Sequence, residues 1–248
     1  MRSARRVFDT HTHLGRARHS GRVATVEGML RAMDASGVDR SLLIPFPVVE
    51  DFRREHDEIG RAVKSYPDRF VGAACLDPFV AEGTYRDEVR RCRETYGFRA
   101  LKFQPQYQGL NPLSERSGFL FETALENGLA LVCHTGAGAP FALPSLFIHP
   151  ARRYADLRIV LGHAGGGIYS LEAAVAATVC PNIYIELSTL MPHAILEILQ
   201  HVGADRLMAG SDLPESLETE IGKIETLPVP EDDKRAILWD TAAKVFGE

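Results

Sequence analysis

Eight short runs of Val, Ile, Leu and Phe recur along this chain, and each is followed by apolar residues at helical spacing. The runs are RRVFDTHTH, RSLLIPF, RFVGAACL, FRALKFQP, LALVCHTG, LRIVLGHAG, NIYIELS and DRLMAGSD, ending near residues 13, 46, 76, 104, 134, 163, 188 and 212. One run per roughly 30 residues is the size of a βαβ unit. Between them lie helical stretches such as VEGMLRAMDASG, DEVRRCRETYG, FLFETALENG and LEAAVAATV, several closed by a glycine of the kind that ends helices. Such alternation calls for a parallel sheet covered by helices. Eight units fit closure into a barrel. The competitor, an open doubly wound sheet, should carry GxGxxG after its first strand, where this chain has His-Thr-His. The expected fold is α/β, a single (β/α)8 TIM-like barrel. No Ser/Gly-rich linker or composition shift divides residues 1–248, so one domain is expected.

Composition removes several function classes. The chain of 248 residues is 45% hydrophobic and 25% charged with a net charge of −5, an ordinary soluble balance with no basic run for nucleic acid. The arginines of MRSARR are not followed by an apolar h-region. No apolar run approaches the roughly 18 residues of a membrane span. The cysteines, Cys75, Cys92, Cys133 and Cys180, form no CxxC pair and read as small core residues of a reducing compartment. A cytoplasmic protein without nucleic-acid or membrane partners is expected.

The chemistry gathers at the ends of the runs. In a strand, residues i and i+2 share a face, so His11 and His13 of DTHTH point together, with Asp9 expected below them. At the C-terminal edge of a barrel strand that face lines the active site. Taken alone, the pair also fits surface or core histidines. The fifth run, however, ends at His134, the sixth at His163 and the eighth at Asp212. Imidazole and carboxylate donors of this kind suit Zn, Fe, Mn or Co as divalent ions. His19, His56, His149, His193 and His201 lie in helices or loops and are expected to be solvated or structural, with His19 and His193 the exceptions because each follows a strand end.

The pieces DTHTH, FRALKFQP, GLALVCHTG, YADLRIVLGHAGG, PNIYIELST, DRLMAGSDLP and ILWDTAAKVFG span nearly the whole chain. Together they resemble the amidohydrolase-related family that includes aminocarboxymuconate semialdehyde decarboxylase and its relatives. The resemblance implies His11, His13, His134 and Asp212 as metal ligands and His163 as a catalytic group beside the bound water, with Asp212 sharing the proton transfers. One departure is Thr241, where relatives usually carry Asn. TatD-like nucleases place a bridging Glu on the fourth strand, whereas LKFQP carries Lys102. Binuclear amidohydrolases carbamylate a lysine there; in the family resembled here it stays unmodified. One divalent ion is expected, zinc first, with Mn, Fe or Co as alternatives.

If His163 and Asp212 face inward, strand parity also turns Lys102, Gln104, Glu186 and Ser188 inward. Asp9, Glu186 and Lys102 are then expected as a buried charge cluster beneath the ligands. Candidate substrate contacts are Phe46, Lys102, Gln104, Gln106, Tyr107, Phe141 and Ser188, with Leu146 beside them. The glycines of AGGG, 164–167, serve either to present amide N–H groups to a carboxylate or to allow a tight turn. A small molecule is the expected partner, and Phe141, Leu146 and Phe147 make a homodimer an expectation. The reading is metal-dependent hydrolysis of a small carboxylate-bearing ester, lactone or amide. Non-oxidative decarboxylation is the alternative.

Overall fold

The computed structural model describes residues 5–247. Its strands are β1 (Phe8–Arg16), β2 (Val23–Ala24), β3 (Arg40–Pro45), β4 (Phe70–Ala74), β5 (Ala100–Phe103), β6 (Ala130–His134), β7 (Ile159–Gly162), β8 (Ile183–Glu186) and β9 (Leu207–Met208). The helices are α1 (Val26–Ser36), α2 (Phe52–Ser65), α3 (Glu82–Tyr96), α4 (Pro105–Gln108), α5 (Gly118–Glu126), α6 (Ile148–Arg153), α7 (Ser170–Val179), α8 (Pro192–Leu199), α9 (Leu217–Glu225), α10 (Glu231–Arg235) and α11 (Thr241–Phe246). The eight apolar runs are eight of these strands, all parallel, in the order β1-β3-β4-β5-β6-β7-β8-β9. Closure follows where the last strand returns to the first. Thr10 N–H donates to the Ala209 carbonyl at 2.9 Å, Asp212 N–H to that of His11 at 2.7 Å, and Thr12 bridges Asp212 in parallel. The extra strand β2 pairs antiparallel with the end of β1 and makes a hairpin over the barrel mouth.

Local signals explain the elements. The Thr25 hydroxyl caps α1 by accepting from Gly28 N–H, and Gly37 ends that helix in the left-handed conformation. Gly97 ends α3 in the same way. Alternate residues of the strands feed two cores. Leu101 and Phe103, Leu131 and Cys133, and Ile183 and Ile185 face the helix layer. Phe8, Leu42, Ile44, Ala100, Val132, Val160, Tyr184 and Met208 fill the barrel with Trp239, from the π-helical turn Ala236–Asp240 that joins α10 to α11. Fully burying one such Leu, Ile or Phe contributes roughly 1.5–3 kcal/mol. All four cysteines are buried and free.

Two departures from simple parity aim the site residues. Between Asp9 and Thr12 the register of β1 shifts against β3, with three steps on β1 meeting two on β3. Phe8 points into the barrel before this bulge; after it His13 lines the cavity and the His11 ring packs inside against Gly162. Without the bulge the histidines would face the helices. Asp9 falls on the near side of the shift and takes the phase of its partner Ser41, so it does not lie below the histidines as parity predicts. In β7, Val160 and Gly162 are the inward positions, which would send His163 outward. Positive φ at His163 (64°) and Ala164 (45°) turns the chain and returns the imidazole to the cavity.

Candidate metal centre

His11 and His13 leave β1 with their imidazoles already oriented. His11 Nδ1–H donates to Glu186 Oε2 at 2.8 Å, and His13 Nδ1–H donates to the Pro45 carbonyl at 3.0 Å. Acceptors on both Nδ1 atoms place the lone pairs on Nε2. Those Nε2 atoms lie 3.8 and 3.6 Å from Asp212 Oδ1. The ligand atoms of His11, His13 and Asp212 all lie within 4.8 Å of one another, a donor set that fits one divalent ion with bonds of about 2.0–2.2 Å. Positive φ at Asp212 (63°) aims its carboxylate at this point.

Two neighbours qualify the set. Lys102 Nζ stands 2.8 Å from His11 Nε2, donating to the lone pair that an ion would take. Ion binding and this hydrogen bond exclude one another. His134 lines the same cavity, with its ring 4.8 Å from that of His163, but its Nε2–H donates to the Ala137 carbonyl at 2.8 Å. Its lone pair is therefore on Nδ1. Three of the four expected ligands converge, and His134 stands beside them.

His163 is wired to Glu186 through Ser188. Its Nδ1–H donates to Ser188 Oγ at 2.7 Å, and Ser188 Oγ–H donates to Glu186 Oε2 at 3.0 Å. The remaining nitrogen, Nε2, is an acceptor 3.8 Å from Asp212 Oδ1. The same Glu186 oxygen also accepts from His163 N–H at 3.0 Å. Gly210 leaves room for this carboxylate: a Cβ there would fall 2.3 Å from Glu186 Oε1.

Electrostatics favour neutral imidazoles. Burial, reinforced by Lys102, holds His11 well below its ordinary pKa. Burial likewise brings His13 and His134 down to about 4, and burial with His11 lowers His163. Neutral imidazole is the form that binds metal. For Asp212, burial acts upward but His11, His13 and Lys102 outweigh it, so the carboxyl sits below its usual range. Burial pulls the Lys102 amine down, against the upward pull of Asp212.

The cavity over these groups measures about 280 Å³ and is walled by His13, Phe46, Gln104, Tyr107, His163 and Asp212. Phe46 stacks on His13 at 5.1 Å between ring centroids. A larger cavity of about 860 Å³ lies beyond the hairpin, among Glu50, Asp51, Glu55, Glu58 and several arginines. It contains none of the converging histidines, so the smaller cavity is the candidate site.

A family model described as Amidohydrolase matches residues 8–247. The chain belongs to the amidohydrolase family. The barrel resembles the 5-carboxyvanillate decarboxylase of Novosphingobium aromaticivorans, solved with manganese and 4-hydroxy-3-methoxy-5-nitrobenzoic acid, with a TM-score of 0.77 at 18% identity over 99% of this chain and 97% of that one. It resembles the 5-carboxyvanillate decarboxylase of Sphingomonas paucimobilis at a TM-score of 0.75 and 18% identity, over 98% and 99% of the two chains. A protein of Acinetobacter baumannii described as a probable 2-pyrone-4,6-dicarboxylic acid hydrolase, with citric acid bound, gives 0.71 and 16% over 98% and 99%. No curated protein matches the chain in sequence.

In this amidohydrolase barrel the remaining expectations divide. Asp9 is not part of a charge cluster with Lys102: Ser211 N–H and Oγ–H and Ser41 Oγ–H donate to it instead, and burial raises it to about 8. Ser188 positions His163 and Glu186. Tyr107 lines the cavity beside His19, at 5.2 Å between rings, whereas Gln106 lies outside it, packed over Gly138. Phe141 and Leu146 stay off the cavity, and Phe147 is buried against Phe103, which removes it from any outer surface. His56 is structural, bonded to Glu88 and to Cys75 N–H, and His193 is exposed away from the site. The glycines of 164–167 serve the turn: Gly165 N–H donates to Thr135 Oγ1, Gly166 N–H to the His163 carbonyl, and a Cβ on Gly136 would strike Gly165 and Gly166. The Thr241 hydroxyl donates to the Ala204 carbonyl at 3.2 Å. Sequence reasoning missed Arg22, which reaches the cavity from the hairpin and pairs with Glu215. Its only signal is its place in GRVA, between Gly21 and the short strand-like Val23-Ala24. Among the described residues no helix is long and apolar enough to cross a membrane.

Proposed function

We propose that this amidohydrolase is a metal-dependent hydrolase of small carboxylate-bearing esters, lactones or amides. His11, His13 and Asp212 hold one divalent ion, zinc first, and His134 joins them through Nδ1 or on releasing Ala137. The observation that carries this reading is the convergence of two Nε2 lone pairs on Asp212 Oδ1 within 3.8 Å, each fixed by an acceptor on its Nδ1. When bound, such an ion polarises a carbonyl and lowers the pKa of a coordinated water to about 7. Asp212, held ionised by its cationic and imidazole neighbours, accepts the proton of the attacking water and returns it to the leaving group. His163 has its proton on Nδ1, tied to Ser188, so Nε2 accepts a hydrogen bond from that water and orients it. Arg22 supplies positive charge at the mouth for a substrate carboxylate, exchanging it for Glu215.

Non-oxidative decarboxylation is the second reading, favoured by the structural likeness to two 5-carboxyvanillate decarboxylases. The experiment that separates them is a screen of the zinc- and manganese-loaded protein against lactones, aryl esters and carboxylated phenols, read by base consumption and by CO2 release. Acid production without CO2 supports hydrolysis; CO2 from a carboxylated phenol replaces it with the lyase reading.

A further inference from the structure

Where β5 ends, a side chain that lines the cavity carries a buried donor with no nitrogen or oxygen acceptor. Gln104 is 1% exposed and lines the cavity beside His13, His134 and His163. Its Nε2 has no hydrogen-bond partner among the described residues. Its nearest polar neighbour is the Cys75 sulfur, a weak acceptor that an incoming oxygen would outcompete. A buried amide donor without a partner has lost its water and gained nothing, so a donor left in this state calls for an acceptor that arrives with the ligand.

The surroundings fix where that acceptor must be. Gln104 N–H donates to Gln108 Oε1 at 2.8 Å, and Gln108 Nε2–H donates to the Leu76 carbonyl at 2.8 Å, locking the start of α4. Lys102, two residues earlier on the same inward face, reaches His11 Nε2. Gln104 therefore stands one inward layer nearer the mouth, where a ligand seated on the metal centre carries its other substituents. Arg22 stands at the rim of the cavity and the Lys102 amine is buried behind His11, so an anionic acceptor is favoured, and a charged acceptor also makes the stronger hydrogen bond.

We propose that Gln104 is a specificity-determining donor: its Nε2–H holds a substrate carboxylate that is separate from the group reacting at the metal. The preferred substrates are then compact molecules bearing a carboxylate beside the reactive group. This assignment rests on reading His11, His13 and Asp212 as a metal centre.

The test is calorimetric titration of the manganese-loaded protein with isophthalate, which carries two carboxylates, and with benzoate, which carries one. Metal content and Tm are measured on every sample. The wild type is expected to bind isophthalate about tenfold more tightly than benzoate, the value of one additional hydrogen bond. Gln104→Leu is expected to abolish that preference while metal content is kept and Tm holds or rises, since the substitution removes a buried unpartnered donor. Gln104→Glu, of similar shape but anionic, is expected to weaken isophthalate further still. A Gln104→Leu protein that keeps the preference overturns the assignment, as does a metal-loaded wild type that binds the two acids equally or not at all. A wild type that takes up no metal overturns the assignment together with the metal centre, and the metal analysis distinguishes that case.

Discussion

Glu186 accepts the Nδ1–H of His11 at 2.8 Å, and through this contact a carboxylate on β8 sets which nitrogen of a histidine on β1 faces the cavity. The same oxygen receives Ser188 Oγ–H and His163 N–H, so one buried group orients both imidazoles that flank Asp212. Glu186→Gln keeps the shape but replaces the carboxylate with an amide. Loss of such an orienting partner lowers metal affinity about 10–100-fold. Competition against a chelator measures it, with Tm as the control for folding.

Gly210 gives a second way to disturb the same carboxylate without altering its chemistry. A Cβ at this position would fall 2.3 Å from Glu186 Oε1 and 3.0 Å from its Cγ. Gly210→Ala is expected to displace Glu186, to cost about 1–3 kcal/mol of stability as an overpacked core site, and to weaken metal binding in parallel. Urea unfolding and metal titration on one preparation check both effects. Gly222→Ala, with open space around its Cβ, is the matched control.

Lys102 and an ion compete for the His11 lone pair. Lys102→Met removes the competing donor and a positive charge beside the centre while keeping an unbranched apolar side chain. Apparent metal affinity is expected to rise about tenfold, the worth of one hydrogen bond with its charge. Equilibrium titration with zinc and a chromogenic chelator reads the change, and weaker binding in the variant would assign Lys102 a supporting role instead.

His13 carries a pH signature of the metal-free protein. Burial lowers its folded-state pKa to about 4 from 6.5, so between these values the unfolded chain binds a proton that the folded chain does not. Stability therefore rises as pH increases from about 4 towards 6.5 and is lost on acidification through that window. His134 shifts to about 4 as well and adds to the slope. Urea midpoints from pH 4 to 7 on the chelator-treated protein are expected to climb, with a shallower climb in His13→Gln.

Much of this arrangement was legible because it follows from periodicity. The eight strands, their parallel order and the placement of His11, His13, His134, His163 and Asp212 at one edge all follow from runs ending in polar residues. What escaped depends on single backbone events that leave no pattern. The bulge between Asp9 and Thr12 reverses the phase of β1, which is why the two histidines were placed correctly and Asp9 was not. His163 arrives inward only because its own φ is positive, against the parity of β7. Arg22 was missed because a hairpin strand of two residues, Val23–Ala24, has too few side chains to show alternation. Lys102, expected in a charge cluster with Asp9 and Glu186, hydrogen-bonds His11, while Glu186 and Asp212 act on it through space. Tertiary contacts of that kind are not encoded in any local stretch.

The most direct measurement is metal per chain by elemental analysis, on the wild type and on His11→Ala, each reconstituted with zinc and with manganese and then desalted. About one ion per wild-type chain and nearly none in the variant are expected, as a single site built on His11, His13 and Asp212 requires. Equal metal in the two proteins, or none in the wild type after reconstitution, would contradict it.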